Sequence, residues 1–211
     1  MTEEIRLSIG VPSSGFVRSG FAHSLANMVG HLASCGIQSR PGDTLTIYLN
    51  MVEGSVIHMA REEIVTRSLE QEATHLLFLD DDMVFEADIL DGLMAHKKPI
   101  ILSNYLLKTE NPVFLTVDKT NREIRTSKQS TGLQLANSGG FGVSLFEMDV
   151  FKQTPQPWFL PLYLPEIKRY TTEDVPFFAR TRKVGFETYV DHDASKKISH
   201  IGNKVWDWKS L

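Results

Sequence analysis

Four apolar residues in unbroken succession, Leu76-Leu77-Phe78-Leu79, run straight into three aspartates, Asp80-Asp81-Asp82. Successive side chains of a strand point to opposite faces, so an unbroken apolar run reads as a strand covered on both sides. A strand of that kind needs a layer of helix above and below its sheet. The preceding chain supplies candidates. Residues 5–11 are aliphatic and β-branched and stop at Pro12, which predicts a first strand, and residues 44–49 predict a second. Between them, residues 20–34 carry Phe21, Leu25, Met28, Val29 and Leu32 at helical spacing. Residues 57–69 repeat that spacing with Ile57, Ala60, Ile64, Val65 and Leu69. A short helix over 87–95 and a buried strand over 100–102 follow. Strands alternating with helices predict a three-layer α/β/α sandwich around a mostly parallel central sheet.

The second half is patterned differently. Residues 113–117 and 123–126 suggest a hairpin turning at 118–122, and residues 132–136 suggest a further strand. Gly139, Gly140 and Gly142 precede a strand over 143–146 and a short helix over 148–152. No Lys-Ser or Lys-Thr follows these glycines, so they are not a phosphate loop, and their use is to let backbone pass close to a ligand. Residues 154–165 hold four prolines and predict a surface loop. Its Trp158, Phe159 and Tyr163 either stack on a ligand or pin the loop to the core. Residues 172–183 predict a helix with Thr172 as N-cap and Glu173 and Asp174 in its first turn, closed by Gly185. A last strand is expected over 186–190, and the tail from 195 to 211 shows no period.

Charge narrows the function classes. The 22 basic and 26 acidic side chains give a net charge of -4, with no basic run, which argues against a nucleic acid partner. The lone Cys35 excludes an internal disulfide and fits a reducing compartment. The acidic start and the absence of a long apolar run predict a cytoplasmic protein with no membrane span.

The acids at the strand end carry the chemistry. Ligands of α/β sheets bind beyond the carboxyl ends of the strands. In extended backbone Asp80 and Asp82 share one side and Asp81 faces away. Two carboxylates a few Å apart repel by about 4 kcal/mol at an effective dielectric near 20, and a divalent cation reverses that sign. Oxygen ligands suit Mg2+ or Mn2+, which also grip phosphate oxygens. The competing reading is an acidic turn at the start of the next helix.

The stretch from Ala73 to Met83 resembles the D-x-D segment of glycosyltransferase family 2, nucleotide-sugar transferases of the GT-A (Rossmann-like) fold. Further segments are similar in the same order. Ile9-Gly10-Val11-Pro12 resembles the first strand and donor turn, and Met59-Ala60-Arg61-Glu62 resembles the Ala-Arg-Asn segment. Gly139-Gly140-Phe141-Gly142 resembles the glycine-rich strand beside the acceptor, Thr172-Glu173-Asp174-Val175 the Glu-Asp motif, and Ser199-His200-Ile201-Gly202 the terminal His-Ile-Gly. The likeness spans residues 5–202. It implies one domain over 1–211, with a donor half over 1–105 and an acceptor and catalytic half over 106–211. It implies a metal held by Asp80, Asp82 and His200, with His192, Asp191 and Asp193 as competing ligands. It implies a UDP- or GDP-sugar bound near Pro12, Ser13, Ser14, Arg61, Asp80, Asp81 and Gly140. A general base, Asp174 or else Glu173, would act on a sugar or other hydroxyl acceptor.

Two departures stand out. The Asp that reads the donor base is absent, leaving Asn50 or Glu53, and the Asn of Ala-Arg-Asn is Glu62. A nucleotide-sugar-binding module without turnover therefore stays open as an alternative, as does a metal-dependent nucleotidyltransferase or phosphohydrolase. A haloacid-dehalogenase-type phosphatase would need a Thr two residues after its second Asp, where this chain has Val84. Arg61 can equally be a surface residue paired with Glu62 or Glu63. Trp206 and Trp208 are read either as a lid over the donor or as a contact in a homo-oligomer.

Overall fold

The computed structural model describes residues 3–202 and 204–210; Met1 and Thr2 of the acidic start, and Asn203 and Leu211 of the tail, lie outside them. The chain runs β1 (Glu4–Ser13), α1 (Ser19–Cys35), β2 (Thr44–Glu53), α2 (Ile57–Glu70), β3 (His75–Leu79), β4 (Met83–Phe85), α3 (Ile89–Ala95) and β5 (Ile100–Ser103). It continues with β6 (Leu133–Ala136), β7 (Val143–Glu147), α4 (Met148–Gln153), β8 (Tyr163–Leu164), β9 (Arg169–Tyr170) and α5 (Asp174–Lys183). Then follow β10 (Thr188–Asp191), α6 (His192–Ser195), β11 (Ile198–Ile201) and β12 (Val205–Trp206).

Seven strands form the central sheet in the order β2-β1-β3-β7-β5-β10-β6. β1, β2, β3, β5 and β10 point one way, while β7 in the middle and β6 at the edge run against them. The sheet is mostly parallel, with helices on both faces in the Rossmann-like GT-A arrangement. The period-two logic of β3 explains the layering. Leu77 and Leu79 pack on one face with Phe21 and Met28 of α1 and Leu93 of α3. Leu76 and Phe78 pack on the other with Ile64 and Val65 of α2 and Phe177 and Phe178 of α5. That second layer is built largely of phenylalanine, with Phe78 edge-on to Phe141, Phe146 and Phe159.

Several expectations change. β1 does not stop at Pro12 but continues to Ser13. β3 pairs with β1 only as far as Gly10, so Pro12 lies where that side of the ladder has ended and no N–H is missed. The expected 113–126 hairpin is reduced to an isolated bridge between Val117 and Glu123. The proline-rich segment is only partly a surface loop, because Trp158 and Phe159 are buried in the phenylalanine layer. Glu173, not Thr172, stands at the N-cap of α5. The tail without a period forms β11 and β12, which join β4 in a three-stranded sheet of order β12-β11-β4. Among the described residues no helix is long and apolar enough to cross a membrane.

Candidate active site

The three aspartates leave β3 in a tight turn, because the Met83 amide bonds back to the Asp80 carbonyl at 3.1 Å. The alternation of extended chain is therefore broken, and the expected sharing of one side by Asp80 and Asp82 does not occur. Three separate segments tie the turn down. Asp80 N–H donates to Gly142 O at 2.9 Å, Arg18 N–H to Asp81 O at 3.3 Å, and Ile201 N–H to Asp82 O at 2.8 Å. Each carboxylate then meets its own partner.

Asp82 meets the tail. β11 pairs antiparallel with β4, setting His200 opposite Met83, and His200 Nε2 lies 3.3 Å from Asp82 Oδ1. His200 Nδ1 is 2.9 Å from the Leu106 carbonyl, which can only accept, so Nδ1 carries a hydrogen and Nε2 faces Asp82. With the ring charged, Nε2 donates a second hydrogen to Asp82; unprotonated, Nε2 and the carboxylate are two acceptors that a cation can bridge. Lys108, whose ammonium binds Asp82 Oδ2, supplies positive charge here. Burial opposes ionisation of Asp82, but His200 and Lys108 outweigh it and hold its pKa at about 2.

Asp80 turns to α2. Its Oδ1 accepts from Arg61 Nη2 at 2.8 Å, and Arg61 Nε reaches Glu173 Oε1 at 3.3 Å. Arg61 is only 3% exposed, and its guanidinium lies 4.8 Å from the Phe141 ring centroid and 5.3 Å from that of Phe78. It is neither a surface residue nor paired with Glu62 or Glu63. Burial lowers its pKa, yet the charges of Asp80 and Glu173 prevail and raise it. Glu62 instead accepts the Phe159 amide at 2.7 Å and holds the proline-rich segment.

Asp81 looks toward the end of β1. It lines a cleft of about 230 Å3 with Pro12, Ser13, Ser14, Gly54, Ser55 and Ile57. Burial and the neighbouring Asp82 and Asp80 raise its pKa against hydrogen bonds from Ser13 and the Ser14 amide. Glu53 stands beside this cleft, since a side chain at Gly15 would meet its carboxylate at 2.9 Å. Asn50 faces the interior instead, giving Nδ2 hydrogen bonds to Ser8 Oγ at 2.9 Å and Gln71 Oε1 at 2.7 Å. A larger cavity of about 700 Å3, lined by groups such as Arg6, Arg40, Lys97 and Glu147, opens at the opposite end of the sheet and shares no residue with the acid cluster.

Asp174 begins α5 and is buried. Its Oδ1 accepts from the Thr172 hydroxyl and from the Val175 amide at 2.9 Å. Burial raises its pKa against the hydrogen bonds from Thr172 and Val175. The glycines serve Tyr105. A Cβ on Gly140 would lie 2.0 Å from the Tyr105 hydroxyl, and one on Gly142 would lie 2.8 Å from its ring. What these glycines admit is the buried Tyr105 ring, whose edge also meets His200 at 5.2 Å between centroids.

The competing ligands are engaged elsewhere. His192 bonds Thr126 Oγ1 at 2.9 Å and Gln134 Oε1 at 3.0 Å, Asp191 caps α6 and meets His96 at 2.9 Å, and Asp193 accepts the Gly132 amide at 2.8 Å. Trp206, opposite His200 on the neighbouring strand β12, is buried with Leu106 and Phe114, and Trp208 leans on the same cluster. The set Asp80, Asp82, His200 is thus not assembled as one group, and among the described residues no three His, Cys, Asp or Glu side chains gather as a metal cluster. Asp82 and His200 are the two members of that set that the fold brings together, and they would be the ones to hold a divalent cation. Mg2+ or Mn2+ keeps water and takes phosphate oxygens at its other positions. Lys108, Leu106 and Tyr105 carried no signal in the sequence, because only the return of the chain after β5 brings them here.

No protein-family profile and no curated protein matches the chain. Among solved structures, A197 from STIV aligns with a TM-score of 0.59 at 20% identity, covering 94% of this chain and 86% of its own. That likeness is one of fold. The catalytic domain of Drosophila β1,4-galactosyltransferase 7 in complex with xylobiose aligns at 0.47 with 18% identity, covering 94% and 71%. A mutant of that enzyme in complex with manganese, UDP-Gal and xylobiose aligns at 0.44 with 17% identity and the same coverage. Both of these are too distant to bear on function.

Proposed function

We propose that this chain is a metal-dependent glycosyltransferase that moves a sugar from a UDP- or GDP-sugar to a hydroxyl acceptor. The observation that supports the proposal is the delivery of His200 onto Asp82 by the β11–β4 pairing, with Nδ1 tied to a carbonyl and Nε2 facing the carboxylate. Asp82 and His200 would hold Mn2+ or Mg2+, which when bound neutralises charge on a departing diphosphate. The cleft at Pro12, Ser13 and Ser14 receives the nucleoside, with Glu53 at its edge. Lys108 gives up Asp82 and turns its ammonium toward the phosphates. Asp80 stays paired with Arg61, which also restrains Glu173. That restraint favours Asp174 as the base, and burial raises its pKa, making it a stronger base than an exposed carboxylate. Asp174 takes the proton of the acceptor hydroxyl. The freed oxygen bonds to the anomeric carbon of the sugar, and the bond from that carbon to the diphosphate breaks, its electron pair leaving with the diphosphate. One such displacement inverts the anomeric centre.

The test is a thermal-shift series with UDP and GDP, with manganese or with EDTA. At a ligand concentration near 100 times Kd the native state gains about 2.7 kcal/mol, a rise of roughly 5–10 °C for a chain of this size. The rise is expected with manganese alone and is lost in Asp82→Ala and His200→Ala. Nucleotide binding in EDTA that Asp82→Ala leaves intact would overturn the proposal.

A further inference from the structure

The proline-rich segment is an arm with a fixed root and an aromatic tip. At the root, Trp158 Nε1 donates to Phe151 O at 3.1 Å and Thr154 O at 2.9 Å, and Arg180 Nη1 donates to Trp158 O at 2.9 Å. Further out, Leu162 and Thr171 clamp the two limbs, the Thr171 amide donating to Leu162 O at 2.8 Å and the Leu162 amide to Thr171 Oγ1 at 2.9 Å. Beyond the clamp, β8 and β9 set Tyr163 directly opposite Tyr170. Their ring centroids are 5.1 Å apart at 56°, and the two residues are 50% and 72% exposed. Ile167 at the turn, Leu162 at the clamp and Val175 beside Asp174 are exposed as well.

We infer that this arm is a carbohydrate-binding platform that holds a glycan acceptor by stacking on Tyr163 and Tyr170; the inference rests on the transferase reading and names its acceptor class. The arm leads directly into the candidate base. Three residues separate Tyr170 from Asp174, so they stand no more than about 14 Å apart along the chain, the span of two or three sugar rings. A sugar ring has one face of C–H groups and an edge of hydroxyls. A tyrosine pair matches both, with apolar faces for the first and two phenol hydroxyls for the second, at little cost in side-chain entropy. The arm does not suit the other occupants of an exposed apolar tip. Its charges are mixed, Glu166 against Lys168 and Arg169, and form no basic cluster for an anionic membrane. Its strands are two residues long, too short for edge pairing with a second copy.

The experiment measures glycan binding without donor, by saturation-transfer NMR with a panel of α- and β-linked disaccharides that includes xylobiose. Wild type is expected to bind at least one of them. Tyr163→Ala and Tyr170→Ala should weaken that binding by about tenfold each, and Tyr170→Phe should retain it, because stacking needs the ring. Both side chains are exposed, so the melting temperature should stay unchanged and the manganese-dependent nucleotide shift intact. A chain that shows the nucleotide shift but binds no disaccharide overturns the inference while leaving the transferase reading in place. Glycan binding indifferent to both alanine variants, a dimer in light scattering that Tyr170→Ala dissolves, or sedimentation with phosphatidylcholine vesicles that Tyr170→Ala abolishes would each overturn it too.

Discussion

Replacing Arg61 with methionine separates a buried strut from a residue waiting for substrate. Methionine keeps most of the apolar stem and still fills the space against Phe141 and Phe78, so the change removes mainly the charge. Lost with it are the 2.8 Å pair with Asp80 and the 3.3 Å pair with Glu173. Two carboxylates are left facing one another. Breaking a buried ion pair costs about 3–5 kcal/mol. The Asp80 and Glu173 side chains keep 25% and 16% of their exposure, so water relieves part of that repulsion. The low end, about 3 kcal/mol, is the reasoned value, against about 0–1 kcal/mol for an exposed arginine. Urea denaturation at pH 7 should show it as a lower midpoint at unchanged slope, with a melting temperature lower by roughly 6–12 °C. Adding Asp80→Asn should recover part of the loss, a coupling of about 1–3 kcal/mol. A loss below about 0.5 kcal/mol, with no coupling to Asp80, would refute the strut and return Arg61 to the list of free donor contacts.

Three further outcomes follow from the geometry. Asp82 titrates at about 2 in the fold against 3.8 ordinarily, so its contribution is present above pH 3.8 and fades as pH falls through about 2. In EDTA, Asp82→Asn should therefore cost about 2 kcal/mol at pH 7, and the gap should close between about pH 4 and 2 in a denaturation series, whereas a constant gap would contradict it. Gly140→Ala sets a Cβ 2.0 Å from the Tyr105 hydroxyl and 2.4 Å from Leu115, and should cost about 2–3 kcal/mol in guanidinium unfolding. Asn50→Asp introduces a carboxylate toward the end of β2, yet Asn50 donates to Ser8 and Gln71 in the interior. It should lose about 2 kcal/mol in thermal unfolding and leave the UDP shift unchanged; a stronger UDP shift would argue that position 50 reaches the donor.

Much of the fold is legible residue by residue. Helical spacing along α1 and α2 and the unbroken apolar run of β3 are local patterns, and each states which faces must be covered. The same patterns place Asp80, Asp81 and Asp82 at a strand end, where ligands of such sheets bind. How the acids divide was not legible, because extended alternation gives way to a turn closed by one backbone bond, and Arg61, Ser13 and His200 each draw one carboxylate away. The proline-rich segment reads as exposed from its composition, yet cross-chain partners such as Glu62 and Arg180 bury its root.

Periodicity is a property of neighbouring residues, so the set of layers and the position of the acids along the chain can be read from local pattern. Family resemblance suggested that His200, more than a hundred positions away in a tail without a period, joins Asp82, but no local pattern did, and only the tertiary structure brings the two side chains to 3.3 Å. β4 and β11 are three and four residues long and carry too little pattern to announce a partner. Their register is settled by the buried surfaces around Trp206 and Ile198, which exist only once the sheet has closed.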